Sequence, residues 1–83
     1  MSKHYVTTTT YGADGTQTGD TVSLDREGVT RDLMDATRLR DAYIVTLASG
    51  GETVKVTSLG RGTRSFRVTF ADGSGEVIDI VTI

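Results

Sequence analysis

Catalysis draws on an imidazole, a thiol or paired carboxylates, and this chain is poor in all three. His4 is its one histidine, and it has no cysteine. A nucleophilic triad requires a base and a zinc site several nitrogen or sulfur ligands, so neither is expected. His4, close to the first residue, is expected to fray rather than to work as a base. General acid–base chemistry needs two carboxyls whose surroundings push their pKa values apart. The eleven acids fall mostly in turns or on the solvated side of a helix, where carboxylates are simply hydrated. The expectation is a protein that is not an enzyme and that uses no metal or cofactor.

Three stretches imitate ligand loops. Residues 14–20, from Asp14 to Asp20, lack the alternating oxygen ligands and the closing Glu of a calcium loop, so a plain hairpin is expected. Gly60-Arg61-Gly62 and Gly73-Ser74-Gly75 each lead into a strand rather than a helix N-terminus, and turn glycine accounts for both. One cationic span is left over. No acid occurs between Glu52 and Asp72, whereas Lys55, Arg61, Arg64 and Arg67 do. Arg61, in its glycine-flanked loop, could follow a phosphate backbone with Phe66 close by. Four cations in a chain of net charge −2 fall short of the domain-wide excess that electrostatic binding shows. Nucleic acid is therefore the second choice of partner.

The elements that must position these residues are read from periodicity. Over 28–40, Val29, Leu33, Ala36 and Leu39 fall within an arc of roughly 120°, with Arg31, Asp35 and Arg38 opposite, which predicts an amphipathic helix. Asp25 is its expected N-cap, and Arg38 and Arg40 suit its C-terminal end. Residues 4–11 read as a strand, with Thr7–Thr10 as a solvated face. Asp14-Gly15 forms the turn, and a second strand over 16–24 carries a bulge at Gly19-Asp20. That register sets Tyr11 opposite Thr18, Thr7 opposite Val22 and Tyr5 opposite Leu24. Beyond the helix, 42–49 is the most apolar strand, turning at Gly50-Gly51 to pair Leu47 with Val54 and Val45 with Val56. Two further strands, 63–70 and 77–83, follow. A loop over 59–63 sets Phe66 beside Val56. A turn at 72–74 sets Val68 opposite Ile78, Phe66 opposite Ile80 and Arg67 opposite Asp79. The expected core is Tyr43, Val45, Leu47, Val54, Val56, Phe66, Val68, Phe70, Ile78 and Ile80.

The chain thus reads as one small α+β domain over 1–83, a single helix packed on an antiparallel sheet in the order ββαββββ. The front half (hairpin, crossing helix, return strand) resembles the β-grasp arrangement of ubiquitin-like folds in element order only, and no function carries over from it.

In this register Val77, Val81 and Ile83 point away from the core. Ile44 joins them on the outer face, and Met34 lies outside the helix stripe. A half-solvated antiparallel sheet is polar on its outer side, so these five are the candidate interface, for a second copy or another protein. The other possible cover for that face is the N-terminal hairpin. Strand 77–83, apolar on both faces and without Pro, Lys or Arg, must be central or paired with another chain. No apolar run approaches the ~20 residues of a membrane span, and Met1–Tyr5 lacks the apolar stretch of a signal peptide. A cytoplasmic protein is expected. Its function reads as that of a small accessory protein, of the kind bacteria and their phages encode, acting by protein–protein contact and self-association, most simply as a homodimer. The alternative is a nucleic-acid-binding module built on Lys55, Arg61, Arg64 and Arg67.

Overall fold

Seven β-branched or aromatic residues follow His4 without interruption, a composition suited to a pleated, well-covered strand. The computed structural model describes residues 3–26, 28–49, 54–59 and 64–83, and this strand lies inside its sheet. The elements are β1 (His4–Tyr11), β2 (Val22–Ser23), α1 (Leu33–Ala48), β3 (Lys55–Leu59), β4 (Ser65–Thr69) and β5 (Gly75–Thr82). The five strands are antiparallel in the order β2-β1-β5-β4-β3, with α1 packed on one side. The α+β class and the single helix are as expected. The chain order is ββαβββ, one strand shorter than expected.

The missing strand is the second half of the helix. A short apolar run such as Tyr43-Ile44-Val45 does not distinguish a buried strand from a buried helix by periodicity. Here Ala36, Leu39, Tyr43, Ile44 and Leu47 recur at spacings of three and four and pack against the sheet. The stripe expected further upstream does not form, since Val29 precedes the helix and Leu33 is 43% exposed. The N-cap is Asp32 rather than Asp25: its Oδ1 accepts from the Asp35 N–H at 2.8 Å, satisfying one of the unpaired donors of the first turn. Because the helix runs on past Arg38 and Arg40, neither stands in its last turn. Arg40 lies on the stripe itself. It is nearly buried, with its guanidinium 4.6 Å from the Phe66 ring centroid and two bonds of 3.0 and 2.8 Å to Asp41 Oδ1. A cation is tolerated there because it is both paired and stacked. Ile44, on the helix, packs against the core and so leaves the outer face where it was expected. Val45 and Val56, expected in the core, are 64% and 45% exposed. The likeness to β-grasp order extends over the first hairpin and the helix, and stops where the return strand would begin.

Two hairpins close with the same local chemistry. Ala13-Asp14-Gly15 and Ala71-Asp72-Gly73 each form a three-residue loop, closed by Thr16 and Ser74, with Gly15 at φ +86° and Gly73 at φ +89°. A positive φ at that position is what such loops require. Hydrogen bonds from the hydroxyl and then the N–H of Thr16, and likewise of Ser74, hold the Asp14 and Asp72 carboxyls below their ordinary range. The loops displace the registers. Phe66 faces Ile78, Val68 faces Glu76, and Val56 faces Val68. Each is a shift of two residues from expectation, which leaves every side chain on its expected face. In the first hairpin Tyr11 bridges Gln17, whereas Thr7 faces Ser23. A bend at Gly19, where a bulge or bend was expected, lies between the two registers.

β5 is central. β1 pairs along one side of it from His4↔Thr82 to Tyr11↔Gly75, and β4 pairs along the other. The strand that had to be central or paired with a second chain is thus flanked on both sides by its own. Val6, Ala36, Val68, Ile78 and Ile80 form the buried core between sheet and helix. Thr7, Thr8 and Thr9 are buried rather than solvated, because β1 has a neighbour on each side. Thr9 Oγ1 lies 2.6 Å from Thr21 Oγ1. Thr8 Oγ1 donates to Glu76 Oε1 at 2.8 Å, and the same oxygen accepts from the Tyr43 hydroxyl at 2.6 Å, tying α1 to the sheet.

Ile78→Ala should cost about 2–5 kcal/mol, the usual range for truncating a fully buried branched residue. Leu33→Ala, at an exposed position, should cost about 1 kcal/mol or less. Urea denaturation of the two variants separates them, and equal costs would mean that the stripe is misassigned. A second expectation concerns pH. Burial, then the hydrogen bond to Glu76, raises the Tyr43 hydroxyl from its ordinary 10.0 to about 12. A group whose folded pKa is raised contributes stability that is complete below its unfolded pKa and is lost as pH climbs through the folded one. Stability should therefore fall between roughly pH 10 and 12, and Tyr43→Phe should flatten that fall. Identical alkaline profiles for the two proteins would refute the coupling.

Candidate functional site

The helix covers one side of the sheet, and among the described residues no layer covers the other. Since Val6, Val68, Ile78 and Ile80 face the helix, the alternate residues face outward. On β1 these are Tyr5, Thr7, Thr9 and Tyr11, on β5 Val77, Asp79 and Val81, and on β4 Ser65, Arg67 and Thr69. Tyr5 stands directly opposite Val81. Ile83 continues the ladder by donating its N–H to Lys3 O at 2.9 Å, and is 73% exposed. Three of the five expected interface residues, Val77, Val81 and Ile83, therefore lie together on this face. Met34, 64% exposed in the first turn of α1, and Ile44 belong to the other layer.

The cationic span is divided. Lys55 on β3 and Arg67 on β4 face outward with the sheet. Arg64 instead donates from Nη1 to Thr82 Oγ1, on the helix side, where Thr82 Oγ1 also lies 2.9 Å from His4 Nδ1. Arg61 lies outside the described residues. Arg67 does not pair with Asp79 as expected. Its guanidinium sits 5.7 Å from the centroid of the Tyr11 ring, and its Nε donates to Thr69 Oγ1 at 3.3 Å. On the way it crosses Gly75, where an added Cβ would stand 3.4 Å from its Nη2 and 2.4 Å from Val68 O. Asp79 accepts from Ser65 Oγ instead. His4 is not frayed: its backbone exchanges bonds of 2.9 and 2.7 Å with Arg31, and its side chain is buried. Among the described residues no group of three or more His, Cys, Asp or Glu is placed to hold a metal ion.

A concavity of about 280 Å³ opens on the outer face, where β1 begins and β5 ends. It exists because the chain leaves β1 and comes back to it. Leu24 donates its N–H to Val6 O at 2.9 Å, the Arg31 and His4 backbones then pair, and the described residues 25–26 and 28–31 arch between those two anchors. Arg31 Nε and Nη2 close the base of the arch with bonds of 2.8 Å to the two oxygens of Asp25, a bidentate geometry that fixes direction as well as distance. These bonds hold the Asp25 carboxyl below its ordinary range. At the tip, Val29 donates its N–H to Arg26 O at 3.1 Å, with Gly28 at φ +82°, a conformation that favours glycine. The groove is walled by Tyr5, Val29 and Ile83, with Ser23, Arg26 and Thr30 around it. Sequence reading missed it by assigning Asp25 to a helix cap and Arg31 to the helix. The available signal was an acid and an arginine at the two ends of a glycine-containing loop.

Among the described residues no helix is long and apolar enough to cross a membrane. No protein-family model, curated protein or solved structure matches the chain.

Proposed function

We propose that this is a non-enzymatic binding protein that docks on another protein through the outer face of its sheet, around Tyr5, Val77, Val81 and Ile83. One observation carries the reading: apolar and aromatic side chains stand on the side of the sheet that no layer covers among the described residues, where an open antiparallel sheet is normally polar. Tyr5, Val77 and Val81 are half-buried and Ile83 is 73% exposed, and apolar patches left open in this way on small domains mark interaction surfaces. A second copy is the simplest partner, related by a two-fold axis that sets face against face. Edge-to-edge pairing through β5 is not the route, since both its edges are occupied within the chain. Among the described residues, the division of Lys55, Arg64 and Arg67 between the two sides leaves nucleic acid without a continuous track to follow.

Sedimentation equilibrium over a concentration series, joined to a pull-down from native lysate at moderate salt, tests the reading. Wild type should self-associate or retain a partner protein. Val81→Asp should lose that association while circular dichroism shows it folded, and Met34→Asp, on the opposite layer, should keep it. A monomeric wild type that retains no protein sensitive to Val81→Asp would sink the proposal.

A further inference from the structure

We infer that the groove beneath the 25–31 arch seats one large apolar side chain of the partner protein, lying beside a carboxylate that Arg26 binds. This rests on the reading of the outer face as a protein-docking surface, and it names the chemistry that the face selects.

Size decides the class of occupant first. Sites for whole small molecules run from about 300 to 1,000 Å³, and about 280 Å³ falls just below them. It is room for a single anchoring side chain of the kind that dominates protein interfaces. The walls fit such an anchor. Val29 and Ile83 are 42% and 73% exposed, apolar surface that a seated side chain would take out of water. Tyr5 adds an aromatic wall with a polar tip, the residue type most favoured at interfaces.

Charge decides the second half. Asp25, the described acid nearest to Arg26 in sequence, is engaged at both oxygens by Arg31. Arg26 makes no ion pair with any described residue, and the hydroxyls of Tyr5 and Thr30 make no hydrogen bond among them. The groove thus presents a guanidinium and two hydroxyls that are uncommitted among the described residues, beside apolar walls. A carboxylate next to an apolar side chain satisfies all of these at once, and a guanidinium binds it by two parallel hydrogen bonds. Leu24 and Arg31, on either side of the residues that line the groove, are held to β1 by backbone bonds, which lowers the cost of ordering those two ends on binding.

The test is an amide-shift NMR titration of the full chain with blocked tetrapeptides in which leucine precedes aspartate. Control peptides replace the aspartate by asparagine or the leucine by alanine, and inorganic phosphate serves as a further arm. Shifts should centre on Tyr5, Val29, Thr30 and Ile83 at the millimolar affinity expected of one anchor. The asparagine peptide should bind about threefold or more weakly, as for one exposed charge pair, and the alanine peptide should not bind detectably. Arg26→Gln should erase the difference between aspartate and asparagine while keeping the demand for leucine. Val29→Asp should abolish both. Shifts centred elsewhere, equal affinities for the two leucine peptides, or phosphate alone reproducing the shifts would overturn the inference. If the peptides fail here while the Val81→Asp-sensitive partner is still held, the groove assignment falls and the docking face stands. If Arg26-dependent peptide binding appears with no such partner, the groove assignment is upheld and the wider docking face is what fails.

Discussion

The pairing of the first strand with the last is the constraint on which the rest depends. β1 runs beside β5 over eight positions, from His4↔Thr82 to Tyr11↔Gly75. Contacts that far apart in sequence carry a loop-closure cost, but that cost grows only with the logarithm of the separation. What it brings together is large by comparison. It places Val6 beside Ile80 in the core and sets Thr8 against Glu76 beneath Tyr43. It also stacks the two Ala-Asp-Gly turns, so that an added Cβ on Gly73 would stand 3.5 Å from the Ala13 Cβ. On the outer side it puts Tyr5 opposite Val81 and provides the strand to which the 25–31 arch is anchored. Without β1, β5 would offer an open edge on a strand apolar on both faces, the arrangement most prone to pair with a foreign strand.

Seen from the residues, the fold was legible wherever a period of two was uncontested. The outward and inward sets on β4 and β5 were read correctly even though both registers were off by two, because an even shift conserves the face. Of the turns, Gly15 and Gly73 carry the positive φ that Asp-Gly implied, but the loops are 13–15 and 71–73 rather than 14–15 and 72–74, and the turn expected at Gly50-Gly51 lies outside the described residues. What failed was the boundary between helix and strand. Tyr43-Ile44-Val45 is a β-prone triplet, yet it completes a helix because Leu39, Tyr43 and Leu47 share a stripe with Ala36. Tertiary packing overrode local propensity there. The Arg at position 40 hid the stripe, since its ability to stack on Phe66 while bonding Asp41 is visible only once the sheet is in place. The threonine run was misjudged for a related reason: its burial follows from strand order, which local pattern does not encode.

The candidate face divides in the same way. Val77, Val81 and Ile83 could be placed on it by alternation alone. The groove could not, because its wall depends on Asp25 meeting Arg31, six positions on, and on both ends of that loop returning to β1. Gly75 offers a smaller instance. Its glycine was legible as a turn residue, but the reason for it is an approach of backbone to backbone that leaves no room for a Cβ, with Arg67 laid over the gap to reach Tyr11.

The arginines show how misleading a charge pattern can be before partners are known. The acid-free span drew attention to Arg64 and Arg67, yet Arg64 donates to Thr82, and Arg67 lies over Tyr11 and bonds Thr69. Arg31, Arg38 and Arg40 pair with Asp25, Asp35 and Asp41. Each of these guanidiniums is used in part by the fold, and a cation already stacked or bonded offers less to a ligand than an uncommitted one. Arg26 differs. It stands between Asp25, which Arg31 has engaged, and a groove of apolar walls. Which guanidiniums are left for a ligand is therefore set by which acids the fold has already used, and under the proposed docking reading Arg26 on the arch is the one to test first.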